Sequence, residues 1–288
     1  MEYLVHLLIL VGIYSILGLS LNLIVGYTGL LSVTHAAFYG IGAYATAILL
    51  TELGFNFFIS LIAGGLLAAV IAWFIGLVLS KFDDDYYALV SLGFNVIVFS
   101  IFLNWQSLTR GPLGIPGIAR PEAFGFSFST PLAFLMLTVI TLLLSWLVSS
   151  FIVRSSFGRV LKAIRDDEQA IEVFGYNTHH YKLVIFTAGA VLAAVAGALF
   201  ASYISFIDPS TFTLDESIFL LAVIILGGLA SLRGSVAGAA VLIILPELLR
   251  FVGFPAEIAA QMRQVVYGVI LILLMLYRPQ GLLGEYKL

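Results

Sequence analysis

Of the chain's 288 residues 61% are hydrophobic and only 10% are charged, with a mean hydropathy of +1.12. A soluble domain carries roughly 25% charged residues, so water is excluded as the main solvent and a bilayer, which accepts apolar surface on the outside of a helical bundle, is implied. The formal net charge of −3 excludes the basic footprint that nucleic acid needs, and the lack of cysteine excludes disulfides, thiolate metal sites and cysteine nucleophiles. Glu2 precedes the first apolar run with no Lys or Arg, so no secretory leader is expected and the first helix is expected to be retained.

A helix needs about 20 mostly apolar residues to cross ~30 Å of hydrocarbon. Such runs fall near 4–25, 30–50, 58–80, 86–104, 131–153, 183–206, 215–232, 236–252 and 258–277. They predict an all-α, polytopic helical membrane protein with about 8–10 transmembrane helices, forming a single domain over 1–288. Two runs have the marks of interrupted segments. The second is preceded and populated by Gly26, Gly29, Gly40 and Gly42, and the eighth contains Pro246. Gly18 and Ala43 extend the set of small residues, which suit close helix approach or a broken helix.

Orientation follows from the bases, which cytoplasmic loops retain. The segment 154–182 holds Arg154, Arg159, Lys162, Arg165 and Lys182, whereas 207–217 holds Asp208, Asp215 and Glu216 without a base. Placing the first inside and the second outside, and threading nine spans, puts nine of the 13 bases inside and four outside. The N-terminus then lies outside and the C-terminus inside.

Within 154–182 the apolar residues Val160, Leu161, Ile164, Ile171 and Phe174 recur at helical spacing, and Gly175 suits a helix stop. A pair of short amphipathic helices is expected. Its bases would suit anionic lipid, but Asp166, Asp167, Glu168 and Glu172 would be repelled there and suit a protein partner. Polar residues at membrane depth, namely Asn22, Thr28, Ser32, Thr34, His35, Asn95 and Asn104, are candidates for a translocation path. The alternative for each is an interhelical hydrogen bond worth about 0.6 kcal/mol. The segment 105–130, stiffened by Pro112, Pro116 and Pro121, is the expected resting place for an external protein.

Enzyme chemistry finds no support. No lysine follows a glycine, so there is no phosphate loop, and His-Glu-x-x-His and Gly-x-Ser-x-Gly are absent.

Several stretches carry a resemblance. Asp167-Glu168-Gln169-Ala170 followed by Gly175 resembles a variant of the cytoplasmic EAA-type loop by which ABC importer permeases dock onto their ATPases, with the glycine displaced by one position. Gly18-Leu-Ser-Leu-Asn-Leu-Ile-Val-Gly-Tyr-Thr-Gly-Leu-Leu-Ser and His35-Ala-Ala-Phe-Tyr-Gly-Ile-Gly-Ala-Tyr44 resemble permeases of the branched-chain amino acid (LivM/LivH) family. So do Tyr86-Tyr-Ala-Leu-Val-Ser-Leu, Gly111-Pro-Leu-Gly-Ile-Pro-Gly117 and Gly227-Gly-Leu-Ala-Ser-Leu-Arg-Gly-Ser-Val-Ala-Gly-Ala239. The likeness runs through nearly the whole chain, departing at Asp83-Asp84-Asp85, where the family more often has a base and a glycine.

The resemblance implies a permease subunit of an ATP-driven importer in a bacterial or archaeal inner (plasma) membrane. It implies leucine, isoleucine and valine as substrates, with urea or short amides as the alternative; a secondary carrier is the competing mechanism. No cofactor is implied, ATP being used by partner subunits. Implied partners are a second related permease, two ATP-binding cassette subunits, a periplasmic or lipid-anchored substrate-binding protein and membrane lipid. Arg159, Lys162, Arg165, Asp167, Glu168, Ala170 and Gly175 are the expected ATPase-docking residues; Asn22, Thr28, Ser32, His35 and Asn95 are the expected path residues.

Overall fold

A 27-residue helix, α1 (Glu2–Thr28), forms the axis of the molecule, and every residue from Ser15 to Thr28 is buried. A helix that is apolar all round belongs in the interior, and here its neighbours are themselves transmembrane helices. The computed structural model describes residues 2–82, 84–123 and 126–250, and beyond them 262, 265–266, 268–269, 272–273, 276–277 and 280–284. The ninth apolar run, 258–277, therefore lies largely outside the described residues.

The other helices follow in chain order: α2 (His35–Thr51), α3 (Phe57–Leu79), α4 (Asp84–Asn104), α5 (Gln106–Thr109), α6 (Pro131–Arg154), α7 (Ser156–Asp166), α8 (Glu168–Val173), α9 (Thr178–Ile204), α10 (Leu214–Gly227) and α11 (Leu232–Arg250). Several of them start at short polar residues whose oxygens take up the free amides of a first turn. Asn56 accepts from Phe58 N at 2.9 Å, Thr130 from Ala133 N, Ser155 from Gly158 N and Asn177 from His180 N at 3.1 Å.

Close packing between helices rests on small residues, since lipid supplies no hydrophobic drive for association. α9 turns Ala190, Ala193, Ala194, Ala196, Ala198 and Ala201 into the interior. α2 crosses it so closely that neither Gly42, against Ala194, nor Gly197, against the Tyr39 carbonyl, has room for a methyl group. Larger residues fill the space beside this crossing, where Tyr39, Tyr44 and Phe102 gather around Phe212.

The eight apolar runs before residue 250 all fold as helices, but they do not all cross as independent rods. Among the described residues five helices are long and apolar enough to span a bilayer: α1, α3, α4, α6 and α9. The pair α10 and α11 is bent by 118° at its break, and would be a sixth span if counted as one. α2, with 17 residues, is shorter than a crossing. The physical reason is the same in both regions: the backbone leaves the helical conformation at a left-handed residue, at Gly29 (φ +79) where α1 ends and the chain turns back into the bundle, and at Gly228 (φ +119) and Ala230 (φ +59) between α10 and α11.

Two groups of loops mark opposite ends of the bundle. At one end α7 and α8 sit beside the end of α1, and the His179 ring bonds to the Ser80 carbonyl after α3. At the other, β1 (Ile115–Pro116) pairs antiparallel with β4 (Phe206–Ile207), β2 (Glu122–Ala123) pairs with β3 (Phe126–Ser127), and Asn56 donates to the Glu122 carbonyl at 2.9 Å. The proline-rich segment 105–130 is thus tied to the start of α3 and the end of α9.

Candidate translocation path and docking loop

After Gly29 the chain does not cross back as helix. Residues 30–34 run non-helical into the bundle. Ser91 Oγ accepts from Val33 N at 3.1 Å, and Asn95 Nδ2 donates to the Val33 carbonyl at 2.7 Å. Asn95 is 11 residues into α4, about 16 Å along its axis at 1.5 Å per residue, roughly halfway through ~30 Å of hydrocarbon. α2 therefore begins at mid-depth.

A second helix begins at the same place. Asn95 Nδ2 also donates to Ser217 Oγ at 2.7 Å, and that hydroxyl accepts from Ala36 N at 3.0 Å. Ser217 lies in the first turn of the 14-residue α10. The stretch 207–217, expected wholly outside, therefore dips inward: Pro209 and Phe212 are buried and Asp208 accepts from Thr211 Oγ1 at 2.7 Å. Two helix N-termini, those of α2 and α10, converge on one asparagine. Interrupted helices with exposed backbone at the midplane are a recurrent way of lining a transport site.

The residues named from sequence divide accordingly. Asn95, Ser32 and Thr34 come together, with a 3.0 Å hydroxyl–hydroxyl bond between the last two. His35 is fully buried at the start of α2, beside the Ser20 backbone of α1. Asn22 stands apart and is spent on architecture: its Nδ2 reaches the Ser231 carbonyl at 3.0 Å and Ser235 Oγ at 2.7 Å, and its Oδ1 accepts from Ala230 N at 2.9 Å, clamping the α10–α11 bend. Thr28 caps the end of α1 through the Ile24 carbonyl at 2.7 Å. Asn104 lies exposed at the far end of α4, donating to the Ser100 carbonyl.

Sequence reading missed Ser217, and treated Asp215 and Glu216 only as charges of an outer loop. Glu216 in fact lies beside the Tyr14 hydroxyl of α1. Nothing short of the fold would join residues 120 positions apart.

At the opposite end, α7 lays Gly158, Leu161 and Ile164 against the bundle. Asp167 ends α7 and caps α8, accepting from Ala170 N at 2.9 Å. α8 closes as Gly175 (φ +87) lets its own N–H reach the Glu172 carbonyl at 2.9 Å and Tyr176 N reach the Ile171 carbonyl at 3.3 Å, the paired bonds of a Schellman stop. Several charges of this loop are engaged within the chain. Arg165 donates to the Gly26 carbonyl at 2.7 Å and lies over Gly29. Lys162 sits 5.6 Å from the Tyr27 ring centroid. Glu168 Oε2 meets Lys182 Nζ of α9 at 2.6 Å, the lysine being only 2% exposed. Thr178 donates to Glu172 at 2.6 Å.

Arg159 is exposed, and so is an apolar tip: Val173 is 87% and Phe174 78% exposed. Between loop and bundle lies a polar cavity of about 660 Å³ whose wall includes Thr28, Lys81, Asp166, Gln169 and His179.

Residues 3–275 match the family described as the branched-chain amino acid transport system permease component. The chain belongs to that family. It is 36% identical to the high-affinity branched-chain amino acid transport system permease protein LivM of Escherichia coli K12, over 94% of this chain and 68% of that protein. It is 28% identical to the permease protein LivH of Salmonella typhimurium over 94% and 91% of the two chains, and 26% identical to a probable LivM of Methanocaldococcus jannaschii over 95% and 91%. No solved structure matches. The family is one of transport permeases and not of enzymes, and the chain is a multi-pass membrane protein.

Proposed function

We propose that this permease is the translocation subunit of an ATP-driven importer of leucine, isoleucine and valine in the inner (plasma) membrane. It works with a second, related permease, two ATP-binding cassette subunits and an external substrate-binding protein. Similarity to both LivM and LivH supports a pair of related permeases, and the family's own description supports the substrate class.

The observation that carries the mechanism is the brace between loop and path. The exposed tip Val173–Phe174 suits insertion into a groove of an ATPase. Force on it passes along α8 and α7 to Arg165, which grips Gly26 and lies over Gly29, where the non-helical segment 30–34 begins. That segment ends on Asn95, where α2 and α10 meet. A small displacement of the loop thus bears directly on the midpoint of the bundle. Interfaces and packed interiors switch between discrete arrangements in place of deforming continuously, so such a displacement suits alternation between two openings.

The test is uptake of radiolabelled leucine into proteoliposomes holding this chain, its partner permease and both ATPases, with binding protein outside and ATP inside. Accumulation that disappears when any one component is left out supports the importer. Flux by this chain alone under an ion gradient would replace it with a secondary carrier. ATPase stimulation by a binding protein loaded with urea or an amide, and not with leucine, would keep the mechanism and change the substrate.

A further inference from the structure

α4 carries an open, largely apolar face toward the outer end, broken only by Ser100 and Asn104. Val96, Ile97, Ser100, Ile101, Asn104 and Trp105 line a broad cavity of about 580 Å³. At Val96 this adjoins a smaller cleft of about 230 Å³ between α4 and the start of α10, formed by Asn95, Val96, Phe99, Thr213, Leu214 and Asp215. The two together make a track from the outer end of α4 to its midpoint. The cleft is smaller than the roughly 300–1,000 Å³ of drug-sized sites, so it suits one small molecule.

Its chemistry is asymmetric. The orientation of the Asn95 amide is fixed, because Nδ2 faces the Val33 carbonyl, which can only accept. Oδ1 is then left without a donor on a side chain that is 1% exposed and lines the cleft. Leaving a buried acceptor unsatisfied is costly, and a native structure that keeps one at a cleft invites a donor from outside. Asp215, exposed in the same cleft, adds a carboxylate. The remaining wall, Val96, Phe99 and Leu214, is apolar.

We infer that this cleft is a stopping point for the translocated molecule, its ammonium group held between Asn95 Oδ1 and the Asp215 carboxylate and its branched side chain laid against Val96, Phe99 and Leu214. The inference rests on the reading of the chain as an amino-acid permease and adds a site to it. Two acceptors select the ammonium end of a zwitterionic amino acid, and the apolar wall is what distinguishes leucine from a smaller polar one. Binding by a single carboxylate and one amide oxygen is weak enough to release cargo, as a transport site must.

The chain contains no cysteine, so Phe99→Cys or Thr213→Cys places one thiol in this subunit at the cleft. The complete four-subunit complex is reconstituted in proteoliposomes, and ATP-driven leucine uptake is measured beside the rates at which a cationic and an anionic thiosulfonate label each thiol. The cationic reagent is expected to react about tenfold faster, a ratio typical of a charge-focusing cleft. Leucine-loaded binding protein with ATP should slow it, and adding Asp215→Asn should erase the preference and lower uptake. Should Phe99→Cys fail to fold, Thr213→Cys gives the same readout from the other wall of the cleft. Uptake that persists while both reagents label equally fast, or that is unchanged by Asp215→Asn, overturns the site and leaves the importer standing. No ATP-driven uptake by the unsubstituted complex overturns the importer itself.

Discussion

The guanidinium of Arg165 donates to the carbonyl of Gly26 at 2.7 Å, across 139 residues of chain, and so ties the last turn of α7 to the last turn of α1. The same side chain fills the space over Gly29, whose positive φ ends α1 and sends the chain back into the bundle. Arg165→Ala is therefore expected to leave the chain inserted but to uncouple it, with ATP hydrolysis by the complex continuing and leucine uptake falling at least tenfold. Arg165→Lys should recover only part, since one ammonium cannot span both positions as a planar fork does. Parallel ATPase and uptake assays check this.

Gly29→Ala tests the same junction from the other side. A Cβ there would stand 3.0 Å from Arg165 Cγ on a backbone at φ +79, and a non-glycine residue held in that region costs about 1–2 kcal/mol. A lowered thermal midpoint of the detergent-purified complex, by a few degrees, is the expected result, together with slower uptake.

Lys182 and Glu168 form a pair at 2.6 Å, with exposures of 2% and 25%. Breaking a buried pair by removing one partner costs about 3–5 kcal/mol; the partial exposure of Glu168 should bring the loss nearer the lower figure. Glu168→Gln should lower stability more than Glu168→Gln combined with Lys182→Met, because the double change leaves no buried ammonium short of its carboxylate. Thermal unfolding of the two singles and the double in detergent gives the coupling.

Asn22 serves the α10–α11 bend through bonds to Ser231, Ser235 and Ala230. Asn22→Ala removes them and leaves the buried Ala230 amide unsatisfied, at about 1–3 kcal/mol. The expected outcome is loss of folded protein from the membrane, read by size-exclusion profile, and not a selective change in substrate preference.

The helices were legible because apolar length is a strong signal: the runs near 58–80, 86–104 and 131–153 coincide with α3, α4 and α6 to within a few residues. Asn56 and Thr130 cap the starts of α3 and α6. The interruption after α1 was legible in the glycines around Gly29, but the second break was expected at Pro246 and falls instead at Gly228 and Ala230, Pro246 lying inside α11. Asn95 was legible as an intramembrane polar residue, but its partners Val33 and Ser217 lie 62 and 122 positions away. The loop 154–182 was recognisable as amphipathic, and its charges suggested a docking surface. Arg165, Glu168 and Glu172 turn out to brace the loop against its own bundle, because a short helix at a membrane end needs polar anchors as well as apolar ones. Val173 and Phe174 were hidden by their type: apolar residues at helical spacing read as core, and only the fold leaves them in the open.

That exposed tip offers the most direct measurement. Val173→Ser together with Phe174→Ser touches no packed residue, so insertion and thermal stability should stay within about 0.5 kcal/mol of the parent chain. With the complex reconstituted, the account predicts that this variant loses co-purification with the ATPase subunits and loses ATP-driven leucine uptake at the same time. Full uptake with the ATPases still bound would contradict the assignment of this loop as the point where ATP hydrolysis enters the permease.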